Sequence, residues 1–466
     1  MRKGATRRAV VAKLLSHFSV LVQRGGGIVA DMVARGRSRC ALVFVGLVVA
    51  GLPGCAQAAA PSGLPPRPGC LRNTTAAEPL PRGLIALEDS GAVVPSASVV
   101  PRAILRDRSV SGVLLYVDWS ALEPGRGAFS PSIVGAVDDV FCEAERHDKF
   151  VVLDLLPGFD SPPWAIDATA NPLCKAPTYA TGSPIAFCFQ YSYSGMVGPR
   201  ALPIPWNTTY LDNWFQFLRV MAHRYGRNPE FSMIGAAGPT SLSEEMSLPD
   251  CPCTQQPLDP ALPATYNGMT IGESDLNMWT ALGYDASVYE AAWRRVYAAY
   301  ARIFPRQMIS FSLFQGLPIP DASESDATLD AVEALGAQTV GASRFAFEGD
   351  GIVASAESSP PSSFYHFVEA QDGRIGATGF QTPNPSELDP HAATPLEALQ
   401  GALEAGVAAS VRYLEFYDTE VLDPSTGLFA PGFRAMLRSV LDGWPRPATG
   451  PPTAGKAPKP CGHACL

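Results

Sequence analysis

The chain has 466 residues, of which 47% are hydrophobic and 17% charged, and its formal net charge is −9. This composition supplies enough apolar side chains for a sizeable core and excludes an intrinsically disordered chain. The length alone allows two or three domains, although α/β barrels often exceed about 250 residues as a single domain.

The first part of the chain is typical of a bacterial export signal. Arg35, Arg37 and Arg39 precede an apolar run at 41–51, which is shorter than the roughly 20 residues of a membrane-spanning helix. The run ends in Leu52-Pro53-Gly54-Cys55, which resembles a lipoprotein box whose cysteine is acylated and becomes the mature N-terminus.

We therefore predict a lipoprotein signal peptide over residues 1–54, with Met32 as an alternative start of translation. Cys55 is the expected lipidation site, and an ordinary signal peptide with a chance cysteine is the alternative. The expected location is the cell envelope, outside the cytoplasm, with the membrane as a partner through the N-terminal lipid.

Removal of this segment makes the chain strongly acidic. Residues 1–54 hold nine of the 35 Lys and Arg but only one of the 44 Asp and Glu, so the remainder carries 26 basic and 43 acidic side chains, a net charge of −17. Such a surface repels phosphate backbones, and we expect no nucleic-acid partner.

The cysteines favour disulfides over metal sites. Ten cysteines become eight when Cys40 and Cys55 are set aside, and an even number is typical of an exported, disulfide-bonded protein. We expect oxidised pairs among four cysteines in two long loops, Cys174, Cys188, Cys251 and Cys253. Cys461 and Cys465 flank His463, but this spacing fits no structural zinc pattern, so a disulfide in the tail is favoured and no metal is expected.

Residues 82–444 show an alternation of strands and helices, between an Ala/Pro-rich tether at 55–81 and a Pro/Gly-rich tail at 445–466. Helical stripes of apolar residues separate the strands, for example Trp293, Val296, Tyr297 and Tyr300. The eight predicted strands are 83–87, 112–117, 150–155, 231–236, 308–313, 339–347, 375–380 and 411–416. This pattern predicts a single-domain α/β fold, a (β/α)₈ TIM barrel.

Catalytic side chains of such barrels lie where the strands end. The polar and aromatic residues at those ends are Glu88, Asp89, Asp118, Trp119, Glu123, Asp154, Glu244, Glu245, Gln315, Glu348, Asp350, Gln381, Glu415 and Asp418. Carboxylates dominate this set, and it contains neither His nor Lys. The chain also has no Gly-rich phosphate loop, which argues against hydride transfer, and no cofactor is expected.

Two of these strand ends resemble a known family. The second strand is followed by Asp118-Trp119-Ser-Ala-Leu-Glu123-Pro124, and the third by Pro162-Pro163-Trp164. The pair resembles retaining barrel glycosidases, nearest to the β-galactosidases of glycoside hydrolase family 42, which have W-S-x-L-E-P-x-x-G-x-F and Pro-Pro-x-Trp segments there. A more diffuse similarity continues through the eighth strand. The resemblance implies hydrolysis of O-glycosyl bonds in an oligo- or polysaccharide.

Aromatic rings at strand ends stack on sugars, and carboxylates accept sugar hydroxyls. The expected substrate-binding residues are Trp119, Trp164, Trp206, Asp118, Asp154 and Tyr417. The alternative for Trp119 and Trp164 is that they only close the end of the barrel. By the same resemblance, Glu123 lies in a turn and is expected to bond the loop backbone near Gly127.

Retaining glycosidases need two carboxyls about 5 Å apart, an acid/base and a nucleophile. The resemblance places them after the fourth and seventh strands, the first within an Asn-Glu pair. We expect Glu245 to be the acid/base, with Glu244 second, although no Asn precedes them and a solvated loop pair is the alternative. The seventh strand ends in Gln381, whose amide cannot act as a nucleophile. Glu348 or Glu415 would then replace it, or the barrel no longer hydrolyses glycosides.

Three functions follow from these patterns. The first is a membrane-anchored glycoside hydrolase acting on carbohydrate outside the cytoplasm. The second is a catalytically inactive glycan-binding barrel derived from a glycosidase, and the third is a structural envelope lipoprotein. Acid-rich strand ends with nearby aromatics favour the first two, while Gln381 shifts weight from the first toward the second.

Overall fold

The computed structural model describes residues 63–74, 80–87, 101–166, 185–193, 196–249, 265–266, 269–270, 275–313, 322–353, 362–383, 392–417 and 432–443. All of them belong to one compact unit, Pro61–Leu466. No helix in these ranges is long and apolar enough to cross a membrane. Several predicted features lie outside the described residues: Cys55, the side chains of the four loop cysteines, residues 445–466, Glu88, Asp89, Gln315 and Asp418.

Eight parallel strands close a barrel, as the sequence predicts. The described residues contain these eight strands and four shorter or antiparallel ones outside the barrel. In chain order they are β1 (Gly83–Leu87), β2 (Val110–Asp118), β3 (Phe150–Leu156), β4 (Ala186–Tyr193), β5 (Met196–Pro203), β6 (Phe231–Gly235), β7 (Thr265–Tyr266), β8 (Met269–Thr270), β9 (Met308–Leu313), β10 (Phe345–Asp350), β11 (Ala377–Gln381) and β12 (Tyr413–Tyr417). The barrel order is β1-β2-β3-β6-β9-β10-β11-β12, and β12 pairs back with β1. The two remaining pairs, β4-β5 and β7-β8, are antiparallel hairpins. The (β/α)₈ fold is confirmed.

Helices connect the strands on the outside. They are α1 (Arg102–Arg106), α2 (Trp119–Leu122), α3 (Pro131–Arg146), α4 (Thr208–Tyr225), α5 (Asp275–Ala281), α6 (Ala286–Ile303), α7 (Ala322–Val340), α8 (Ser362–Gln371), α9 (Pro395–Ala408) and α10 (Phe433–Gly443). Local sequence sets several of their starts. Ser130 and Thr394 cap α3 and α9 through their hydroxyls, and in each case a proline follows at the first helical position.

The barrel interior is apolar near the start of the strands and polar near their end. Side chains alternate across a strand, so every second residue points inward. The lower inward positions form an apolar cluster, Ile85, Leu87, Leu114, Phe150, Val152, Met233, Met308, Ala346, Ala377 and Tyr413. The same alternation, continued toward the carboxyl ends, reaches Tyr116, Asp154, Gly235, Ser312, Glu348, Asp350, Gln381, Glu415 and Tyr417. We call this end of the barrel the mouth.

Two elements differ from the prediction. The sixth barrel strand begins at Phe345 rather than at Thr339, because Thr339 and Val340 form the last turn of α7. Gly341 follows that turn with a φ of 95°, a conformation that favours glycine and ends the helix. The hairpin β4-β5 was not predicted at all, and it lies in the connection between β3 and α4.

Residues 63–74 pack on the barrel, although their composition predicted part of a tether. Leu71 is buried, and Cys70 forms a disulfide with Cys142 of α3. Arg224 of α4 donates to the carbonyl oxygen of Pro65 at 2.9 Å. Proline-rich sequence was misleading here, because a segment without regular structure can still be fixed by a disulfide and by side-chain donors to its carbonyls.

Candidate active site

Six carboxyls converge at the mouth and form what we call the carboxyl cluster. Its members are Asp154 of β3, Glu244 and Glu245 after β6, Glu348 and Asp350 of β10, and Glu415 of β12. Burial is the largest cause raising the pKa of each, and for most of them the charge of other cluster members adds to it. Such a group of buried acids holds several protons at neutral pH.

Asp154 and Glu244 form a pair above Gly235. The Gly235 N–H donates to Asp154 Oδ1 at 3.0 Å. A Cβ at position 235 would lie 2.2 Å from that oxygen and 3.0 Å from Glu244 Oε2, so the missing side chain leaves room for both carboxyls. Burial raises the pKa of Asp154 to about 7 and the pKa of Glu244 well above its usual range. Glu244 is therefore the proton donor of this pair.

Glu348 and Glu415 lie deeper. Their side chains are 2% and 0% exposed, and burial followed by mutual repulsion raises the pKa of Glu348 well above its usual range. Burial and then the charge of Glu244 raise the pKa of Glu415 in the same way. Burial therefore disfavours the charged form of both acids, and both are shielded from solvent.

Gln381 connects the cluster to two tyrosines. Its Nε2 donates to the Tyr116 hydroxyl at 3.2 Å, and its Oε1 accepts from the Tyr417 hydroxyl at 3.5 Å. The amide occupies the seventh-strand position where the resemblance expects a nucleophile, and both of its polar atoms form hydrogen bonds to tyrosine hydroxyls there. Tyr417, expected to bind substrate, is half-buried beside it.

Glu245 and Asp350 lie at the upper rim of the cluster, and both are half-buried. The chain at Glu245 is held against β9, where the Met246 N–H donates to the Ser312 carbonyl oxygen at 3.1 Å. The Ser312 hydroxyl donates in turn to Asp350 Oδ2. Ser312 thus ties together the loop after β6 and the end of β10.

Burial raises the pKa of both rim carboxyls, and different neighbouring groups add to or oppose that rise. Burial raises the pKa of Asp350 to about 7, while hydrogen bonds from Ser312 and Glu348 restrain the rise. Burial and then the charges of Asp350 and Glu244 raise the pKa of Glu245 well above its usual range. Glu245 therefore keeps its proton to a higher pH than an ordinary carboxyl, and Asp350, with its pKa of about 7, is partly ionised at neutral pH. A pair of carboxyls in which neighbouring charges oppose ionisation of one and hydrogen bonds favour ionisation of the other suits acid and base roles.

The tryptophans expected to bind sugar lie outside the cluster. Trp119 is 0% exposed, its Nε1 donates to Glu123 Oε2 at 3.0 Å, and its ring packs 5.1 Å from that of Trp214. No ring face is left for a sugar, which corrects its assignment as a platform and favours the packing alternative. Glu123 also accepts from the Gly127 N–H at 2.7 Å, so its predicted structural role is confirmed.

Trp164 is half-buried, with its Nε1 donating to the Glu123 carbonyl oxygen at 3.0 Å and the guanidinium of Arg126 5.2 Å from its ring centre. Asp118 is the last residue of β2 and is buried. Their expected substrate contacts stay predictions.

Trp206 belongs to an aromatic wall beside the mouth. Its ring centre lies 6.0 Å from that of Trp279 and 5.9 Å from that of Tyr284, and Phe189 of β4 stacks on Trp279 at 4.2 Å. These residues belong to the insertions after β3 and β6, which begin at the carboxyl ends of their strands. The wall gives the mouth an aromatic flank that the sequence indicated only through Trp206.

Four residues of the site were missed or passed over as catalytic: Tyr116, Ser312, Asp350 and Tyr413. Tyr413 lies over Gly379, where a Cβ would be 2.2 Å from its ring, and burial and then the charge of Glu348 raise its pKa well above the usual range. The strand pattern points to them, because side chains alternate across a strand. Each of the four lies an even number of residues from a buried, inward-facing residue of its own strand and therefore also faces inward. Within the described ranges, no group of three or more His, Cys, Asp or Glu side chains could hold a metal ion.

No protein-family model matches the chain, and no curated protein matches it. Solved structures resemble it in three dimensions. A trimodular GH5_4 subfamily endoglucanase has a TM-score of 0.46 and 10% identity, with 78% of this chain and 60% of that chain covered. Xylanase 10B from Thermotoga petrophila RKU-1 has a TM-score of 0.41 and 12% identity, covering 77% and 93%. A psychrophilic glycoside hydrolase family 10 endo-β-1,4-xylanase has a TM-score of 0.39 and 8% identity, covering 75% and 89%. Values at this level assign the chain to no family and give it no activity.

Proposed function

We propose that this chain is a glycoside hydrolase whose proton donor is Glu245 and whose essential carboxylate is Asp350. One observation carries the proposal: two half-buried carboxyls meet at the mouth of a (β/α)₈ barrel, with the pKa of one raised well above its usual range and that of the other at about 7. Cleavage of a glycosidic bond needs this combination, a protonated carboxyl beside the leaving oxygen and a negative charge beside the sugar ring.

The proposed reaction uses both groups in one step. Glu245 transfers its proton to the glycosidic oxygen as the bond from that oxygen to the anomeric carbon breaks. The Asp350 carboxylate stabilises the positive charge that develops on the anomeric carbon. Water then supplies a hydroxyl to that carbon, and the remaining proton restores the carboxyl group. The separation of the carboxyls sets whether the anomeric configuration is retained or inverted.

Asp350 is a better carboxylate than the candidates that the sequence offered. Glu348 and Glu415 are buried beneath it, where burial raises their pKa values and disfavours their charged forms, and Gln381 carries no charge. Asp350 accepts hydrogen bonds from Ser312 and from Glu348, both of which favour its ionised form. Asp154, also with a pKa of about 7, is 1% exposed and engaged with Gly235 and Glu244.

The finer assignments rest on sequence. The segments around Trp119 and Trp164 resemble glycoside hydrolase family 42, which supports an oligo- or polysaccharide substrate. Arg35 to Arg39, the apolar run and Leu52-Pro53-Gly54-Cys55 support an anchored protein in the cell envelope. The proposed enzyme therefore acts outside the cytoplasm while attached to a membrane by the lipid on Cys55.

The test is a panel of aryl glycosides hydrolysed by the purified protein and three variants. Glu245→Gln should lower kcat/KM by about 10²–10⁴-fold on substrates with poor leaving groups. It should lower kcat/KM much less on dinitrophenyl glycosides, because that leaving group departs without a proton. Asp350→Asn should be inactive on both kinds of substrate.

Glu333→Gln is the matched control. Glu333 lies on α7 away from the carboxyl cluster, is buried, and has a pKa of about 7 because of that burial. Its amide variant should keep the activity of the wild type. Wild-type activity that persists in Asp350→Asn would show that another group supplies the charge.

Because of Gln381, the test must also distinguish hydrolysis from a competing function, glycan binding without cleavage. The Gln381 amide at the seventh strand is what a glycan-binding barrel derived from a glycosidase would carry. Wild-type protein that binds oligosaccharide without cleaving it, together with activity that appears in Gln381→Glu, would establish that function. Activity in the wild type that Gln381→Glu does not increase supports the hydrolase with Asp350.

A further inference from the structure

Residues 63–74, which we call the strap, follow α3 from the mouth to the opposite end of the barrel. Four contacts occur in order along both segments. Gly63 lies against Gly127 and Phe129, just before α3, and Arg224 links Pro65 to Asp138 in the middle of the helix. Cys70 is bonded to Cys142, and Arg72 pairs with Glu145 near the helix end. The N–H of Thr74 then donates to the Arg227 carbonyl at 2.8 Å, between α4 and β6.

The strap is fixed firmly. Arg224 is buried, its guanidinium is paired with buried Asp138, and Tyr225 donates to the same carboxylate at 2.9 Å. The Arg224 guanidinium also donates hydrogen bonds to the carbonyl oxygens of Pro65 and Pro66. Breaking the strap from the barrel would leave a buried arginine short of acceptors, which is costly.

The N-terminal end of the strap is at the mouth. Gly63 approaches the loop after β2 so closely that a Cβ there would be 2.2 Å from the Gly127 carbonyl oxygen. That loop begins at the carboxyl end of β2, and its Glu123 holds Trp164 at the rim. Gly63, the first described residue of the strap, therefore lies at the mouth, and the opposite end of the barrel lies a helix length away.

Only eight peptide units separate Cys55 from Gly63. Whatever path they take, their full extension is about 26–29 Å, and a flexible chain of that length spans roughly 16 Å on average. We infer that the lipid on Cys55 holds the mouth at the membrane surface, so that the substrate is a glycan displayed on or beside that surface. This inference rests on the proposed anchoring and on the proposed function.

Energy transfer to labelled lipids tests the orientation without any activity. The full chain is purified from bacterial membranes and reconstituted in vesicles containing acceptor lipids, with an azide-bearing amino acid for the donor dye. The azide-bearing amino acid, which carries the donor dye, replaces exposed Ala128 at the mouth in one preparation. In a second preparation it replaces exposed Arg146, the last residue of α3. The two positions are about 23 Å apart along the helix, so transfer should be roughly twofold higher from Ala128. Equal transfer, higher transfer from Arg146, or protein that does not bind vesicles overturns the inference.

A longer connection is the matched control. Thirty Gly and Ser residues inserted between positions 62 and 63 raise the average reach to roughly 34 Å. The difference between the two labels should then disappear while the protein stays on the vesicles. A difference that survives the insertion would show that a surface of the barrel, rather than the short connection, sets the orientation, and would overturn the inference.

Activity on two forms of one sugar tests the substrate class. One aryl glycoside carries a lipid tail and is placed in the same vesicles, and the other is soluble. Anchored protein should exceed Cys55→Ser by about 10-fold on the vesicle-bound form, because anchoring raises the effective concentration, and should equal it on the soluble form. Equal rates on both forms overturn the substrate class. Hydrolysis of neither form refutes the proposed function, and the energy-transfer result still decides the orientation.

Discussion

Gly235→Ala is a small change with a specific consequence at the carboxyl cluster. Gly235 ends β6 and does not have a positive φ, so its backbone accepts alanine. The added methyl carbon, however, would lie 2.2 Å from Asp154 Oδ1 and 2.8 Å from its Cγ, closer than such carbons approach in proteins. The carboxyl of Asp154 must move by roughly 1 Å.

The cost follows from what that movement breaks. Overpacking costs about 1–3 kcal/mol, and the Gly235 N–H loses its carboxylate acceptor at 3.0 Å. We expect Gly235→Ala to lower the free energy of unfolding by roughly 2–4 kcal/mol, measured by urea denaturation with circular dichroism. Gly135→Ala on α3 is the control, because its Cβ meets nothing within 4 Å and should raise helix stability by about 0.5–1 kcal/mol.

A double variant separates this cause from a general effect on the strand. In the Asp154→Ala background the space above position 235 is vacant, so Gly235→Ala should cost less there than in the wild type. Equal costs in the two backgrounds, or a Gly235→Ala protein as stable as the wild type, would refute the close packing of Asp154 and Glu244 above this glycine.

Three further predictions concern the whole chain. Because burial raises the folded-state pKa of Asp154 and Asp350 to about 7, the folded protein binds protons that the unfolded chain releases near pH 4. Stability should therefore fall as the pH rises from about 4 to 8, by roughly 4 kcal/mol or more, and a urea midpoint that increases over this range would contradict the account. The disulfide Cys70–Cys142 spans a sequence separation of 72, so the Cys70→Ser/Cys142→Ser variant should lose about 2–4 kcal/mol in the same assay, and an unchanged midpoint would exclude the bond. Cys55→Ser should move the protein from the membrane to the soluble fraction or leave it uncleaved, whereas unchanged partitioning into membranes would exclude the anchor.

The barrel was predictable because its signals are local and repeated. Seven of the eight strands were placed to within about two residues, since each is a short apolar run bounded by helical patterns. The sequence predicts a strand at Thr339 and Val340 because β-branched residues favour strands. In the structure these two residues form the last turn of α7, which ends just before Gly341. The hairpin has a signal of its own in the sequence, because Phe187, Phe189, Tyr191 and Tyr193 alternate before a Ser-Gly pair.

The site was only partly predictable from sequence. Position at a strand end identified all six acids of the carboxyl cluster, yet it could not rank them, because burial and hydrogen bonding decide which acid is charged. Asp350, unlike Glu348, accepts a hydrogen bond from the Ser312 hydroxyl of the neighbouring strand β9, and this bond favours its ionised form. Trp119 was assigned to sugar binding since an aromatic residue after a strand indicates either a platform or packing, and only its burial decides. The packing of the strap on α3 could not be predicted, because nothing in its sequence specifies Cys142 as the disulfide partner of Cys70.

The pH dependence of kcat/KM tests the assignment of Glu245 and Asp350 most directly. Asp350 must be ionised, so activity should rise through pH of about 7, and Glu245 must be protonated, so activity should fall at higher pH. Ser312→Ala removes the hydroxyl that favours ionised Asp350, and should move the rising limb up by about one pH unit while leaving the falling limb in place. A rising limb near pH 4, or one that Ser312→Ala does not move, would contradict the assignment of the essential carboxylate to Asp350.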